Sequence, residues 1–579
     1  MAPVRRAVLA GLLCAAPLLA ATAQASTGIV EREQLRAALR LQPHAAGAGV
    51  VPLPLPLPER PRASASAAGG GELARIARSS APAHLLVGVR SHEDMDAVAA
   101  ALRALGATPE RLDLTGVIAA TVPSGAAAVT ALRDDPRVAY VERDPAVAVA
   151  VDEFDRLDPD TGIKFTWAYD TVRAGEAIAA VGGGSSRLVA VVDTGLDVNH
   201  PEFAGQIKRT VDTSSGRADV TDFVGHGTFV TGLIAALNDN GLGGRGVAGR
   251  TKILAVRASR DTEGRFFLSD MLAGIDIAIR GRARIVNMSL AGTSFTQSQA
   301  RALELAFLND VLPVAAAGNH GDAGNPLEFP AALVGGPRGG RGIGLSVGAT
   351  MPNGAAAAFS THNRFVSLAA PGASAGDCRF GVFSTLPATT AAPWSTPDGC
   401  DETITGVDGS HYAYGEGTSF AAPIVSGLAA LAWQAEPRLA SEQVGEVLTR
   451  SATGSGWNQF TGAGVADGMH AVEIARVYDV TPPRSRARVH RHGNRVRVRV
   501  ERTRDRTARG DELAGHVRFG LLVSRDGGSS FAVIASRRSR AFTQNVQIRG
   551  RRANVLVSTA CARNGNCGVK RLGRFRRRG

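Results

Sequence analysis

Hydrophobic and polar positions change texture three times along the chain. Between residues 83 and 150, HLLVGV (84–89) reads as a strand and HEDMDAVAAALRALGA (92–107) as an amphipathic helix. VIAATV (117–122), AAAVTALRDD (126–135) and RVAYVERD (137–144) continue as strand, helix and strand, with room for one more strand near Leu112. That order predicts a small two-layer α+β unit of ferredoxin-like type. From about Ile163 to Tyr478 the apolar runs become nearly continuous: RLVAVVD (187–193), KILAVRA (252–258), RIVNMSL (284–290), VLPVAAAG (311–318) and IGLSVGA (343–349). Strands without alternation are buried on both faces, as in a parallel sheet covered by helices. Helical stretches lie between and after them, at 227–239, 269–281 and 419–436. The prediction is a three-layer α/β unit. After TPP (481–483), RVRVRVER (495–502), GLLVSRD (520–526) and SFAVIAS (530–536) alternate with period two, predicting a small all-β, sandwich-like unit.

Composition sharpens this division. In 579 residues, 44% are hydrophobic and 20% charged, which excludes wholesale disorder. The net charge of +13 is uneven. Residues 481–579 hold 26 basic and 5 acidic side chains, a net of +21, so everything before them is mildly acidic at −8. A uniformly basic nucleic-acid binder is therefore excluded. The alternating arginines of RVRVRVER read as one solvated face, without interleaved aromatic residues to stack bases. No nucleic-acid partner is expected.

Residues 1–25 read as a secretory signal peptide. Arg5 and Arg6 precede an apolar run (7–20) and the small-x-small site Ala23-Gln24-Ala25. No later segment is long and apolar enough to span a membrane. Residues 26–82 form a low-complexity leader with VPLPLPLPERP at 51–61 and GGG at 69–71. The expected divisions are therefore 1–25, 26–82, 83–150, 151–480 and 481–579. Beyond the signal, four cysteines remain, and an even number in an exported chain favours disulfides. Of three pairings, proximity along the chain favours Cys378–Cys400 and Cys561–Cys567.

Three segments each bring one reactive side chain to the end of a strand or helix. In VAVVDTGLD, Asp193 closes a buried strand at the carboxyl edge of the sheet, where open α/β folds carry their sites. In GHGTFVTG, His226 opens a helix between two glycines, and in GEGTSFAAPIVSG, Ser419 opens an apolar helix. Taken singly, these read as a turn aspartate, an ordinary histidine and a helix cap. Together they supply a nucleophile, the imidazole that accepts its proton and the carboxylate that orients the imidazole. The order Asp…His…Ser is the one known for subtilisin.

These segments resemble the subtilisin-like serine proteases, down to GTSFAAP around Ser419. The resemblance implies that Asp193, His226 and Ser419 form the triad. It implies that Asn319, in VAAAGNHG, donates to the oxyanion. Ser289, Leu290, Ala291 and Gly292 would form an edge that pairs with substrate backbone; the family usually has Gly where Ala291 stands. It further implies that the unit at 83–150 is a propeptide-inhibitor domain, whose tail lies in the cleft and is cut between Pro145 and about Asp160. No cofactor is required and no metal cluster has zinc spacing. For a structural calcium ion, NDNGLGG (238–244) with Glu202 is the candidate, set against a plain Asn-Gly turn; His200 reads as structural. The expected protein is a monomeric, secreted, self-maturing endopeptidase acting on proteins and peptides. A catalytically silent peptide-binding scaffold and a narrow processing protease are the rivals.

Overall fold

A computed structural model describes residue 34 and residues 82–577, apart from 145, 150–166, 239, 241, 375–380, 391–402, 407, 481–482, 484, 502–517, 526–530, 539–540, 550–552 and 562–566. The signal segment, nearly all of the leader, and Cys378 with Cys400 lie outside the described residues.

The first unit comprises β1 (Ala83–Val89), α1 (Met95–Ala104), β2 (Thr108–Leu112), β3 (Val117–Val122), α2 (Gly125–Arg133) and β4 (Val138–Arg143). Its sheet has the order β2-β3-β1-β4, with all three pairings antiparallel. Alternation along β1 explains why HLLVGV is apolar throughout. Leu85 and Val87 pack with Met95, Val98 and Leu102 in the unit's own core. Leu86 faces the other way, joining Leu112, Val117 and Ala119 in the core of the larger unit.

That larger unit is built on seven parallel strands: β6 (Leu188–Asp193), β7 (Ile207–Asp212), β8 (Lys252–Arg257), β10 (Ile285–Met288), β12 (Leu312–Ala316), β13 (Leu345–Thr350) and β14 (Leu368–Pro371). Their order is β14-β13-β12-β10-β6-β8-β7. Side chains alternate between two cores. Val189 and Val191 join helices α3 (His226–Ala235) and α6 (Thr418–Ala435). Ala190 and Val192 join α4 (Leu268–Arg280) and α5 (Gln297–Leu308) on the opposite face. The architecture is therefore the three-layer α/β fold expected. β7, β14 and α5 are additional to the segments read from the sequence.

Two smaller sheets flank the main one. β15 (Val382–Leu386), β16 (Ile404–Thr405) and β17 (His411–Gly415) form one in the order β15-β17-β16. In the other, β5 (Ala146–Val149) lies between β9 (Arg265–Phe267) and β11 (Leu290–Ala291) and runs antiparallel to both.

The C-terminal strands form two sheets. β18 (Ala487–His492), β19 (Arg495–Val500) and β22 (Phe542–Gln547) make one, in the order β18-β19-β22. β20 (Arg518–Ser524), β21 (Ala532–Arg538), β23 (Asn554–Cys561) and β24 (Cys567–Phe575) make the other, in the order β21-β20-β23-β24. Val496, Val498 and Val500 from the first sheet and Phe519, Leu521 and Leu556 from the second share one core, as a sandwich requires. Cys561 and Cys567 form a disulfide between β23 and β24, as expected from their spacing. Leu522, Phe531, Val555 and Val557 attach this unit to the core beneath α4 and α5.

Candidate active site

All three reactive side chains emerge on the same edge of the seven-stranded sheet. Asp193 is the last residue of β6, and His226 the first of α3. His226 Nδ1 lies 2.6 Å from Asp193 Oδ1, with both side chains buried. An ionised carboxylate only accepts, so Nδ1 carries the proton and Nε2 of the neutral ring keeps its lone pair. Among the described residues, His226 Nε2 has no hydrogen-bond partner.

The glycines beside His226 have separate tasks. Gly225 caps the helix at φ 98°, a conformation that favours glycine. Gly227 allows close approach: a Cβ there would stand 2.2 Å from the Gly195 carbonyl oxygen and 3.2 Å from Asp193 Cβ. Asp222, four residues before His226, secures this junction. Its Oδ1 accepts from Thr194 Oγ1 at 2.9 Å and Gly225 N at 2.9 Å, and its Oδ2 accepts from Thr228 N and Oγ1, both at 2.8 Å. Thr194 Oγ1 in turn accepts from Gly227 N at 2.8 Å. The sequence reading passed over Asp222, although an Asp three residues before a glycine at a helix start is a cap signal.

Ser419 is the second residue of α6, so its backbone N–H has no acceptor within the helix. Pro423 also lies inside that helix and lacks the N–H that would bond to the Ser419 carbonyl. The Ser289 hydroxyl fills the vacancy, donating to Ser419 O at 2.6 Å. Asn287 Nδ2 holds the Ser289 oxygen at 3.0 Å, while Asn287 Oδ1 accepts from Ser426 Oγ at 2.9 Å. Neither Asn287 nor Pro423's effect on the carbonyl was drawn from the sequence; the signal was a proline four residues after the serine. Ser419 Oγ donates to Ser289 O at 3.3 Å. The structure thus joins Asp193 to His226 directly, and Ser419 to the Ser289 edge rather than to the imidazole.

Asn319 follows β12 in a turn where Gly318 has φ 110°. Its Oδ1 accepts from Thr418 N at 3.0 Å and Thr418 Oγ1 at 2.8 Å, which fixes the amide and leaves Nδ2 buried and without a partner among the described residues. The amide donor and the Ser419 N–H therefore belong to one junction, since Thr418 bridges them.

Ser289–Gly292 divides by role. Leu290 pairs with Val149 and Ala291 with Ala148 of β5. Gly292 instead exchanges hydrogen bonds with Phe329, at 3.0 and 2.8 Å. The candidate calcium loop is organised differently from a cation cage. Glu202 accepts from Gly244 N at 2.6 Å, Asn240 Nδ2 at 2.8 Å and Tyr412 OH at 3.1 Å, and burial raises its carboxyl pKa. Chain donors already surround both oxygens, so Glu202 does not fit a metal ligand. His200 accepts from Glu202 N at 3.3 Å through Nδ1 and donates from Nε2 to His411 O at 3.0 Å, a structural role.

Comparisons with known proteins agree with this geometry. The model of the subtilase family matches residues 184–464. Alkaline elastase YaB of Bacillus sp. (strain YaB) is 32% identical over 339 residues, covering 58% of this chain and 75% of that protein. Subtilisin DY of Bacillus licheniformis is 31% identical over 284 residues, covering 49% of this chain and 89% of its own. The fold resembles fervidolysin from Fervidobacterium pennivorans, a keratinolytic enzyme related to subtilisin. The TM-score is 0.55 at 18% identity, covering 86% of this chain and 92% of that one.

Replacing Asp222 with Ala strips acceptors from two hydroxyls and three backbone N–H groups, those of Val224, Gly225 and Thr228. We expect a loss of about 2–3 kcal/mol in stability, with peptidase activity falling as the His226 helix loosens. Asp222→Asn, retaining one acceptor oxygen, should fall between; thermal unfolding and peptide hydrolysis check both.

Proposed function

The chain belongs to the subtilase family of serine endopeptidases, and from that membership we propose an exported enzyme, made as a self-cleaving precursor, with Asp193, His226 and Ser419 as its triad. The carrying observation is the 2.6 Å contact between His226 and Asp193, which leaves an unpartnered lone pair at His226 Nε2. In this reading a small rotation of Ser419 Oγ away from Ser289 O brings the hydroxyl to that nitrogen. Serine then attacks the substrate carbonyl carbon while His226 takes its proton. His226 returns the proton to the leaving amine, and Asp193 stabilises the imidazolium. Negative charge developing on the carbonyl oxygen meets Asn319 Nδ2, which has no partner among the described residues, and the Ser419 N–H at the start of α6. Water subsequently hydrolyses the acyl-enzyme.

Export rests on the apolar N-terminal segment and its Ala-x-Ala site, and among the described residues no helix is long and apolar enough to cross a membrane. The substrates are proteins and peptides that add an extended strand beside Leu290 and Ala291. Strand β5 supports the precursor reading, because it occupies that edge now. Ser419 is fully buried while this segment of its own chain runs alongside. The first unit is anchored next to it by two carboxylates of one strand and its continuation. Glu142 accepts from Gln297 N at 3.0 Å and Ser298 Oγ at 3.1 Å at the start of α5. Asp144 accepts from Ser269 N at 2.9 Å and from the Ser269 hydroxyl at the start of α4. Each carboxylate meets free N–H groups of a helix N-terminus. We read this unit as an intramolecular inhibitor.

Ser419→Ala should abolish labelling by a fluorophosphonate probe and leave the chain at precursor size. Asn319→Ala should lower turnover by about 10²–10³ with little change in KM. Normal labelling of the Ser419 variant would remove the triad assignment.

β5 ends at Val149, paired with Leu290 beside Ser289, whose carbonyl takes the Ser419 hydroxyl. Self-cleavage is therefore expected shortly after Val149. N-terminal sequencing of the matured protein should give a start between Ala150 and about Asp160; a start upstream of Ala146 would contradict the register.

Burial pushes the Asp144 carboxyl up to about 7 from an ordinary 3.8. The docked unit keeps a proton that the free unit releases near pH 4, so docking weakens as pH rises through roughly 4–7 and levels off above. Glu142, Glu110 and Asp270 are raised by burial in the same sense. His84, lowered by burial and by Arg260, opposes them. Onset of activity after self-cleavage should be faster toward neutral pH, and Asp144→Asn should flatten that dependence.

A further inference from the structure

The outward face of the C-terminal sheet β18–β19–β22 carries an arrangement that the peptidase chemistry does not use. The valines of β19 point into the sandwich core, so Arg495, Arg497 and Arg499 all point outward and are exposed. Residues two apart on a strand are separated by about 6.8 Å, which sets the three guanidinium stems in an evenly spaced row. Across from them on β18 stand His492, His490 and Arg488, in register and also exposed. Like-charge partners directly opposite destabilise a sheet. A single ion pair with a described residue relieves this face, between Arg488 Nε and Glu501 at 2.6 Å. The row Arg495, Arg497, Arg499 has no ion pair among the described residues.

On the other side of the row, β22 presents Gln547, Asn545 and Thr543 opposite Arg495, Arg497 and Arg499. These are exposed as well. The face is thus a line of cations bordered by a line of neutral amides and a hydroxyl. Guanidinium groups match carboxylate and sulfate oxygens with paired N–H donors. Amides and hydroxyls match ligand hydroxyls. No Phe, Tyr or Trp among the described residues is exposed on the face to stack a base, and no exposed apolar side chain on it would enter a lipid surface.

We propose that this sheet face binds a linear anionic polysaccharide, whose acidic groups meet Arg495, Arg497 and Arg499 while its hydroxyls meet the β22 row. Such binding would hold the peptidase on an acidic polymer matrix. It depends on neither the triad nor the precursor reading.

The test titrates the full chain into fluorescein-labelled dextran sulfate and, separately, labelled polygalacturonate, reading anisotropy at several salt concentrations. Saturable binding to either polymer is expected. Arg495→Gln/Arg497→Gln/Arg499→Gln should weaken it about tenfold or more and lower the log–log salt slope by about two to three, through lost counterion release. Arg571→Gln/Arg574→Gln, on β24 of the other sheet, should change it little. Hydrolysis of a small peptide should be unaffected in both variants, which separates failure of this proposal from failure of the peptidase reading. If the triple variant does not fold, Arg497→Gln alone, at the centre of the row, should still weaken binding several-fold. Unchanged affinity in a folded triple variant would overturn the proposal. So would tighter binding of duplex DNA or of phosphatidylglycerol vesicles than of both polysaccharides at the same salt.

Discussion

Everything in the site depends on how closely one helix start can approach one strand end. Asp193 and His226 sit 33 positions apart in the chain, yet their side chains share a 2.6 Å hydrogen bond inside the protein. That distance needs α3 to press on the turn after β6, where a methyl group at position 227 would collide with backbone. Asp222 holds the same two elements together through Thr194, Gly225 and Thr228. A buried carboxylate that satisfies five donors fixes position more firmly than packing alone, because each lost partner would leave a polar group without water.

The serine half of the site is built on an interrupted helix. Pro423 removes one internal hydrogen bond from α6, and Ser289 replaces it from the neighbouring edge. The edge that pairs with β5 is thereby fastened to the helix that carries Ser419. Thr418 fastens the other side by orienting the Asn319 amide. Two separate segments are therefore tied to two consecutive residues, Thr418 and Ser419. Preorganised donors of this kind need little rearrangement as charge develops.

The flanking units use the same surfaces economically. The N-terminal unit covers one sheet face with its own helices and turns the other toward α4 and α5, so Leu85 and Leu86 serve different cores. Its strand β4 leads directly through the helix-capping carboxylates into β5 at the cleft edge. The C-terminal sandwich attaches to that same core by Leu522 and Val557, leaving the arginine-bearing sheet outward.

Much of this was legible in the residue order. Buried parallel strands announce themselves as unbroken apolar runs, and Asp193, His226, Asn319 and Ser419 stood out because each lies within two residues of a glycine at an element boundary. β7 escaped because IKRTVD is an edge strand with exposed Lys208 and Arg209, and β14 because LAAP is short. The candidate calcium ligand Glu202 could not be judged in sequence: its role was decided by Gly244, Asn240 and Tyr412, which arrive from 38 to 210 residues away. Local patterning alone determined element type, the α/β class and the candidates for the reactive groups, since these depend on neighbours a few residues apart. Which carbonyl Ser289 would fill, which edge β5 would cover and how Thr418 would orient the Asn319 amide were decided by tertiary packing, because hydrogen bonds between distant segments exist only once the sheet has brought them together.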